Sequence, residues 1–245
     1  MAEYDDFAEA YSAHNDQSLF NAYYNQPEIL RLAGDVDGLR VLDAGCGAGQ
    51  VAEALRTRGA VVSGFDQSAA MLALAAERLG DDIDLRVADL AAPLPYPDAA
   101  FDLVVASLSL HYVEDWSAAL AEVRRVLAPD GRLLVSVIHP VVYAVVYPDA
   151  DYFALTQYTE DYVFGGRPAR MTYWHRPLQD VLNAFIEAGF RIAQVTEPPP
   201  AGWNAPGADR VKAYREAGWL FRRHPSVTVL PTVAALRALR SAAPE

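Results

Sequence analysis

A glycine-rich stretch that follows an apolar run carries the residue types and spacing best suited to chemistry. In residues 41–50, VLDAGCGAGQ, the apolar run ends in Asp43 and is followed by Gly45, Gly47 and Gly49. Glycines in such a turn let a ligand touch the backbone, and a helix that begins there presents free N–H groups. The stretch therefore predicts a binding site for a carboxylate or phosphate group.

The spacing of the glycines separates two classes of ligand. A dinucleotide fingerprint needs Gly-x-Gly-x-x-Gly, and from Gly45 its third glycine would fall on Gln50. The chain instead has Gly-x-Gly-x-Gly preceded by Asp43. This pattern resembles motif I of the class I S-adenosylmethionine-dependent methyltransferases, in particular the small-molecule enzymes with Asp-x-Gly-Cys-Gly-x-Gly.

The resemblance covers residues 39–138 well and implies how the cofactor S-adenosyl-L-methionine is bound. The glycine loop would wrap its amino-acid end, with Asp43 at the ammonium group. We also expect Gln67, Ser107 and Tyr11 to contact it. A glycine-rich turn of another Rossmann-like protein is the alternative, and Cys46 is interpreted as a small residue of the turn.

Two further acids follow predicted strands. Asp66 lies 21 positions after Gly45, where a Rossmann fold uses an acid to bind ribose hydroxyls, although it could also be an ordinary helix N-cap. Asp89 matches the acid beside the adenine amino group in the related family, with Leu90 against the ring. The alternative is a solvated loop aspartate.

Methyl transfer requires mainly that a nucleophile be aligned and water excluded, so a base is optional. His139 follows the fifth predicted strand and is a candidate base; it could instead orient the chain around Pro140. His111 is a second candidate, at the corresponding edge of the fourth strand.

Aromatic residues outside the repeating pattern are candidates for the acceptor pocket, since flat organic molecules bind to apolar faces with a few polar groups. They could equally form a small core of their own. The substrate-binding candidates are Tyr4, Tyr143, Tyr147, Trp174 and Trp203.

Short apolar runs alternate with amphipathic stretches from residue 39 onward, which is typical of βαβ units. We predict one α/β domain over residues 1–245, with a Rossmann-like, seven-stranded, mostly parallel sheet and helices on both faces. Residues 1–37 form a predicted helical cap. Residues 139–176 form a predicted aromatic lid inserted after the fifth strand, with Gly165-Gly166 as a hairpin turn. A last strand is expected in Val227–Leu230.

Composition excludes several classes of partner and mechanism. The net charge of −12 disfavours nucleic acid and anionic membranes. One cysteine rules out an internal disulfide and a thiolate metal cluster, and one lysine, Lys212, rules out mechanisms that need a lysine elsewhere. No signal peptide or membrane span is recognised. We expect a bacterial, cytoplasmic monomer or homodimer without a metal.

The function predicted is methyl transfer from S-adenosyl-L-methionine to an O or N atom, less readily C, of a small aromatic or heteroaromatic acceptor, in specialised metabolism. One alternative is a non-catalytic module that binds the cofactor to regulate a partner. The other is an NAD(P)-dependent oxidoreductase, which the glycine spacing disfavours.

Overall fold

The computed structural model describes residues 4–18, 21–80, 82–198 and 231–238. Its centre is a seven-stranded sheet. The strands are β1 (Arg40–Ala44), β2 (Val61–Asp66), β3 (Asp84–Val87), β4 (Phe101–Ser107), β5 (Leu127–Ile138), β8 (Phe190–Thr196) and β9 (Pro231–Ala238), while β6 (Thr156–Phe164) and β7 (Arg167–His175) form a separate hairpin. The order across the sheet is β3-β2-β1-β4-β5-β9-β8. Strands β1 to β5 run parallel, whereas β9 pairs antiparallel with both β5 and β8. The predicted α/β class with a mostly parallel sheet is therefore confirmed.

Helices precede, connect and follow the strands. They are α1 (Ala8–Gln17), α2 (Gln26–Ala33), α3 (Gln50–Arg56), α4 (Ala69–Leu79), α5 (Trp116–Val126), α6 (Val141–Val146) and α7 (Leu178–Glu187). A π-helical turn, Asn21–Asn25, separates α1 from α2, and a 3-10 turn, Leu110–Tyr112, follows β4. The predicted strand in Val227–Leu230 lies outside the described residues; β9 begins directly after it.

Both faces of the sheet are buried. Val41 packs with α2, α3 and α4 on one face, while its neighbour Leu42 packs with α5 and α7 on the other. Successive strand residues point to opposite faces, so a strand covered on both sides must be apolar at nearly every position. The carboxyl ends of the parallel strands lie at one edge of the sheet. The polar residues at the ends of β1, β2 and β4 meet there.

The predicted N-terminal cap is divided between two cores. Ile29 and Ala33 of α2 pack onto the sheet with α3 and α4. Tyr4 and Phe7, just before α1, instead pack with Met71 of α4 and with Phe164. The part around α1 therefore covers the edge of the sheet.

The segment after β5 forms α6 and then an antiparallel hairpin of β6 (Thr156–Phe164) and β7 (Arg167–His175). Gly165 and Gly166 make the turn with φ of 55° and 80°, the left-handed values that a two-residue hairpin turn requires. We call the hairpin together with residues 4–18 the roof. Its two parts share one apolar cluster, in which the rings of Phe7 and Phe164 stack at 5.8 Å.

Candidate active site

The glycine-rich turn is fastened to the neighbouring strand. The backbone N–H groups of Gly45 and Cys46 both donate to the carbonyl of Phe65, at 2.9 Å each. Gly45 has φ of 77°, and a Cβ added there would lie 2.6 Å from that of Ser109. Glycine is thus required by conformation and by space, and the turn can present its backbone to a ligand.

Asp43 ends β1 with its carboxylate buried beneath this turn. The residue is 1% exposed, and its Oδ2 has no hydrogen-bond partner. Burial raises the pKa of Asp43 to about 7, with a lowering contribution from the backbone N–H of Ala52 and a raising one from the charge of Asp66. An unpaired buried carboxylate oxygen is costly, so the site is suited to a positively charged ligand group.

Asp66 ends β2 and is held by backbone donors. Its Oδ2 accepts from the N–H of Gly47 and its Oδ1 from that of Ser68, both at 2.9 Å. The N-cap of α4 is Ser68, whose Oγ accepts from Met71, so the alternative of Asp66 as an ordinary N-cap is wrong. Burial raises the pKa of Asp66, while these backbone hydrogen bonds lower it. The lone pairs that remain can accept hydrogen bonds from hydroxyl groups.

A cavity of about 660 Å³ joins these acids to the roof. Most of the predicted cofactor-binding residues line it. They are Tyr11, Asp43, Gly45, Gly47, Asp66, Gln67, Asp89, Leu90 and Ser107. Such a volume is in the range of sites for whole small ligands.

Gly49 is the predicted cofactor-binding residue that the structure keeps away from the cavity. A Cβ at this position would lie 2.8 Å from Cδ1 of Leu79 and 3.3 Å from Cβ of Ala75. With φ of 83° it is the N-cap of α3. The structure gives it the role of letting α3 and α4 pack closely, and its assignment to the cofactor stays a prediction.

Asn25 lines the cavity but was missed by sequence reasoning. It is 2% exposed, its Nδ2 donates to Oγ of Ser107 at 2.7 Å, and its Oδ1 has no partner. It lies in the π-helical turn, 82 positions from Ser107, and no local pattern marks it. A second unpaired acceptor thus lies in the cavity wall.

The cavity is covered by α1, which polar contacts tie to the helices below. Asp16 pairs with Arg78 of α4 at 2.9 Å and accepts from Nε2 of Gln50 at 2.9 Å. Asp5 accepts from Oγ of Ser68 at 2.7 Å. This arrangement encloses the acids and limits the access of water.

Comparison with known proteins points to one family. Residues 42–135 match a family model described as methyltransferase domain. A ubiquinone biosynthesis O-methyltransferase from Xylella fastidiosa is 31% identical over 175 residues, which are 66% of this chain and 70% of that protein. An S-adenosylmethionine dependent methyltransferase structure from Mesorhizobium loti has a TM-score of 0.64 and 28% identity over 91% of this chain and 99% of that one. The chain belongs to the class I S-adenosylmethionine-dependent methyltransferases.

Other relatives are matched over less of their length. A demethylmenaquinone methyltransferase from Thermus thermophilus is 44% identical over 101 residues, which are 39% of this chain and 46% of that protein. The chain spans about half the length of the first curated relatives that it matches. The family model begins in β1 and ends in β5, so it contains the glycine turn.

The structure places some of the predicted substrate-binding residues in the cavity wall and others outside it. Tyr4 and Trp174 line the cavity. Tyr143 and Tyr147 do not: the ring of Tyr143 stacks on that of His175 at 4.0 Å, and the hydroxyl of Tyr147 donates to Glu160. These two pack against the hairpin of the roof, and their assignment to the substrate stays a prediction. Trp203 lies outside the described residues.

His139 is placed away from the methyltransferase cavity. Its Nδ1 accepts from the N–H of Val141 at 3.1 Å, and its Nε2 lies 2.7 Å from Oε1 of Glu197. Both ring nitrogens are therefore engaged, and neither faces the residues that line the cavity. This geometry favours the alternative of a histidine that orients the chain after β5, and the role of base stays a prediction.

His111 is buried in the 3-10 turn, between the rings of Tyr112 and Tyr173. Burial, with the charge of Arg176, lowers its pKa to about 3, and its Nδ1 has no partner. A group that stays neutral to such low pH is a poor base, and it does not line the cavity. The structure thus disfavours His111 as a base.

Among the described residues, no group of three or more His, Cys, Asp or Glu side chains could hold a metal ion. Within the same ranges, no helix has the length and apolar character needed to cross a membrane.

Proposed function

We propose that this chain transfers the methyl group of S-adenosyl-L-methionine to an O or N atom, less readily a C atom, of a small organic acceptor. The observation that carries the proposal is the unpaired, buried Oδ2 of Asp43 in a cavity that also holds Asp66 and aromatic rings. A cofactor with an ammonium group and a ribose supplies the donors that these acids lack.

The residues present fit this cofactor. Asp43 would hold the ammonium group and Asp66 the ribose hydroxyls. Leu90, which is buried, would pack against the adenine ring, with Asp89 beside its amino group. Oδ1 of Asp89 already accepts from the N–H of Ala91 at 2.9 Å, which fixes the carboxylate and leaves its other oxygen for the ligand. Gln67, Ser107 and Tyr11 would complete the contacts.

The acceptor would bind under the roof. Tyr4, Tyr112 and Trp174 contribute rings to the cavity, while Asn15 and Gln157 contribute amide groups. A flat molecule with a hydroxyl or ring nitrogen suits this mixture. The names of two relatives, a demethylmenaquinone methyltransferase and a ubiquinone biosynthesis O-methyltransferase, favour an aromatic or quinone-type acceptor.

When bound, the cofactor supplies an electrophilic methyl group on a sulfonium. The chain's own contribution is to align the acceptor, exclude water and stabilise positive charge with aromatic faces. The ring centroids of Tyr4 and Tyr11 lie 4.8 Å apart at 71°, and both residues line the cavity. The aromatic roof supports an enzyme over a module that only senses the cofactor, because such a module has no need of an acceptor pocket beside the cofactor site.

The protein's charge bears on its partners. A net charge of −12 supports a small-molecule substrate and no nucleic-acid partner, and the single cysteine supports a cytoplasmic protein. We propose a monomer or homodimer and a role in specialised metabolism.

The test is methyl transfer from cofactor with a labelled methyl group to a panel of phenols, heteroaromatic amines and carboxylates. Wild-type protein should label at least one acceptor and should bind S-adenosylhomocysteine in calorimetry. Asp43→Asn should lose both, whereas the exposed Asp98→Asn should retain both. Cofactor binding without labelled product would support the sensing module, and preference for NAD would overturn the proposal.

A further inference from the structure

The charged side chains of the cavity wall are nearly all acidic. Of the described residues that line the cavity, one is a cation, Arg78, and six carry carboxylates, namely Asp16, Asp43, Glu53, Asp66, Asp89 and Glu114. Arg78 pairs with Asp16 at 2.9 Å and with Glu53 at 3.2 Å, so its charge is already balanced. A cavity with this wall attracts positively charged molecules and repels anions.

Glu114 is the acid of this wall that is positioned neither for the cofactor nor for Arg78. Its side chain is exposed, and the carboxylate makes no hydrogen bond or ion pair with the described residues. The positive charge of Arg176 acts on Glu114, but also on Asp180 and Asp115. The carboxylate of Glu114 is therefore able to bind a further cation at the cavity wall.

The backbone of Glu114 is held against the end of the hairpin by Arg176. This arginine follows β7, is buried, and donates from Nη2 to the carbonyl oxygen of Glu114 at 2.6 Å. It also donates to the carbonyl of Val113 at 3.4 Å, and its Cζ lies 4.2 Å from the ring centroid of Trp116. These contacts fix the segment after the 3-10 turn against the hairpin, and with it the position of Glu114.

Trp174 brings an aromatic ring to this junction. It lies two residues before Arg176 and pairs in register with Gln157 of β6. Trp174, Gln157 and Glu114 all line the cavity, and the side chain of Trp174 is half-buried. A carboxylate attracts an ammonium group by charge, and the face of an indole ring attracts it through the ring quadrupole. The two side chains together are suited to a protonated amine.

We propose that the acceptor carries a positively charged amino group, separate from the atom that is methylated, and that Glu114 and Trp174 bind this group. The inference rests on the proposed function and names the charge class of its acceptor. The ammonium group lies at the exposed end of the pocket, where Glu114 is, and the reacting hydroxyl or ring nitrogen lies deeper, beside the cofactor. An acceptor with a carboxylate or phosphate in place of the ammonium group is repelled.

The main test uses three catechols that differ in the charge of one arm. Dopamine has an ammonium arm, 4-ethylcatechol a neutral arm and 3,4-dihydroxyphenylacetate a carboxylate arm. In the wild type, kcat/KM should be highest for dopamine and lowest for the carboxylate, about 10-fold apart, since an ion pair and a cation–π contact each contribute modestly at an exposed site. High salt should reduce this difference, because the charges are screened.

Variants of Glu114 assign the preference to this residue. Glu114→Gln should lower the ratio of kcat/KM for dopamine to that for 4-ethylcatechol by about threefold or more. Glu114→Lys should lower this ratio further and raise the corresponding ratio for the carboxylate. The control is Glu187→Gln, at an exposed glutamate that does not line the cavity, and it should keep the wild-type ratios. A folding defect would lower all three rates alike and leave the ratios unchanged.

Binding of the three catechols to protein saturated with S-adenosylhomocysteine gives a second readout, which does not depend on turnover. Calorimetry should rank their affinities in the same order as kcat/KM. No preference among the three, binding of none of them, or wild-type ratios in Glu114→Gln would overturn the inference, while methylation of any other acceptor of the panel would leave the proposed function standing. A wild-type protein that methylates no acceptor at all overturns both proposals.

Discussion

The Oδ2 atom of Asp66 lies 2.9 Å from the backbone nitrogen of Gly47 and accepts its hydrogen bond. This contact joins the end of β2 to the glycine turn that follows β1. The residue proposed to hold the ribose is therefore also a part of the turn proposed to hold the amino-acid end of the cofactor. The two halves of the site cannot be altered independently.

Replacing Asp66 should thus affect both binding and folding. Asp66→Ala should weaken the binding of S-adenosylhomocysteine by about 2–4 kcal/mol, since charge-assisted hydrogen bonds are lost. It should also lower the melting temperature, because the N–H groups of Gly47 and Ser68 lose their acceptor. Calorimetry and thermal unfolding would measure the two effects, with the exposed Asp98→Ala as control. An unchanged affinity would refute the ribose assignment.

The raised pKa of Asp43 predicts how the stability of the folded protein changes with pH. Because burial raises this pKa to about 7, the folded protein holds more protons than the unfolded chain between about pH 4 and pH 7. The free energy of unfolding should therefore fall as the pH rises through this window, by up to roughly 1 kcal/mol per pH unit. Denaturant titrations of wild type and Asp43→Asn at several pH values should differ in this slope.

Cofactor binding should couple to the same proton. An ammonium group beside Asp43 lowers the pKa of its carboxyl, so binding near pH 6 should release a proton. Calorimetry in two buffers with different heats of ionisation would detect the release in wild type and its absence in Asp43→Asn. Equal proton release in both proteins would place the ammonium group elsewhere.

The glycines of the turn should separate into two classes. Gly47 has φ of 52° and free space around its Cβ position, on the cavity wall. Gly47→Ala should add backbone strain of about 1–2 kcal/mol and weaken cofactor binding. Gly49→Ala adds similar strain and also a contact at 2.8 Å with Leu79. It should lower stability more than Gly47→Ala does.

Cofactor affinity and melting temperature should both be measured for Gly47→Ala and for Gly49→Ala, on the same protein preparations. A larger loss of affinity than of stability in Gly49→Ala would return that glycine to the cofactor site.

His139→Ala should retain most of kcat on a probe phenol, because the ring binds Val141 and Glu197 and does not reach the cavity. Trp174→Ala should lower kcat/KM by about 10-fold or more, since Trp174 lines the cavity. Steady-state kinetics at saturating cofactor would distinguish the two. A loss of 100-fold or more in His139→Ala would restore it as a base.

The sequence by itself determined the parts that depend on local pattern. The alternation of apolar runs and amphipathic stretches predicted the mostly parallel sheet, and Gly165-Gly166 predicted the hairpin turn. The glycine turn indicated which edge of the sheet binds the cofactor. The strand, its terminal carboxylate and the glycine-rich turn all lie within ten residues of chain, so their relative positions follow from local structure. Residues near one another in sequence keep the same relation in any fold that contains this unit.

Only the tertiary structure decided the features that depend on contacts between elements distant in sequence. The partners of His139, the contact of Gly49 with α4, and the hydrogen bond from Asn25 to Ser107 each join segments that sequence spacing does not relate. The packing of Tyr112 on Tyr173, at 5.3 Å between ring centroids, likewise needs the 3-10 turn after β4 to lie against the hairpin. The burial and the pKa of a side chain depend on such packing. The sequence around a histidine at the end of a strand is the same whether its ring lies in a cavity or against a glutamate.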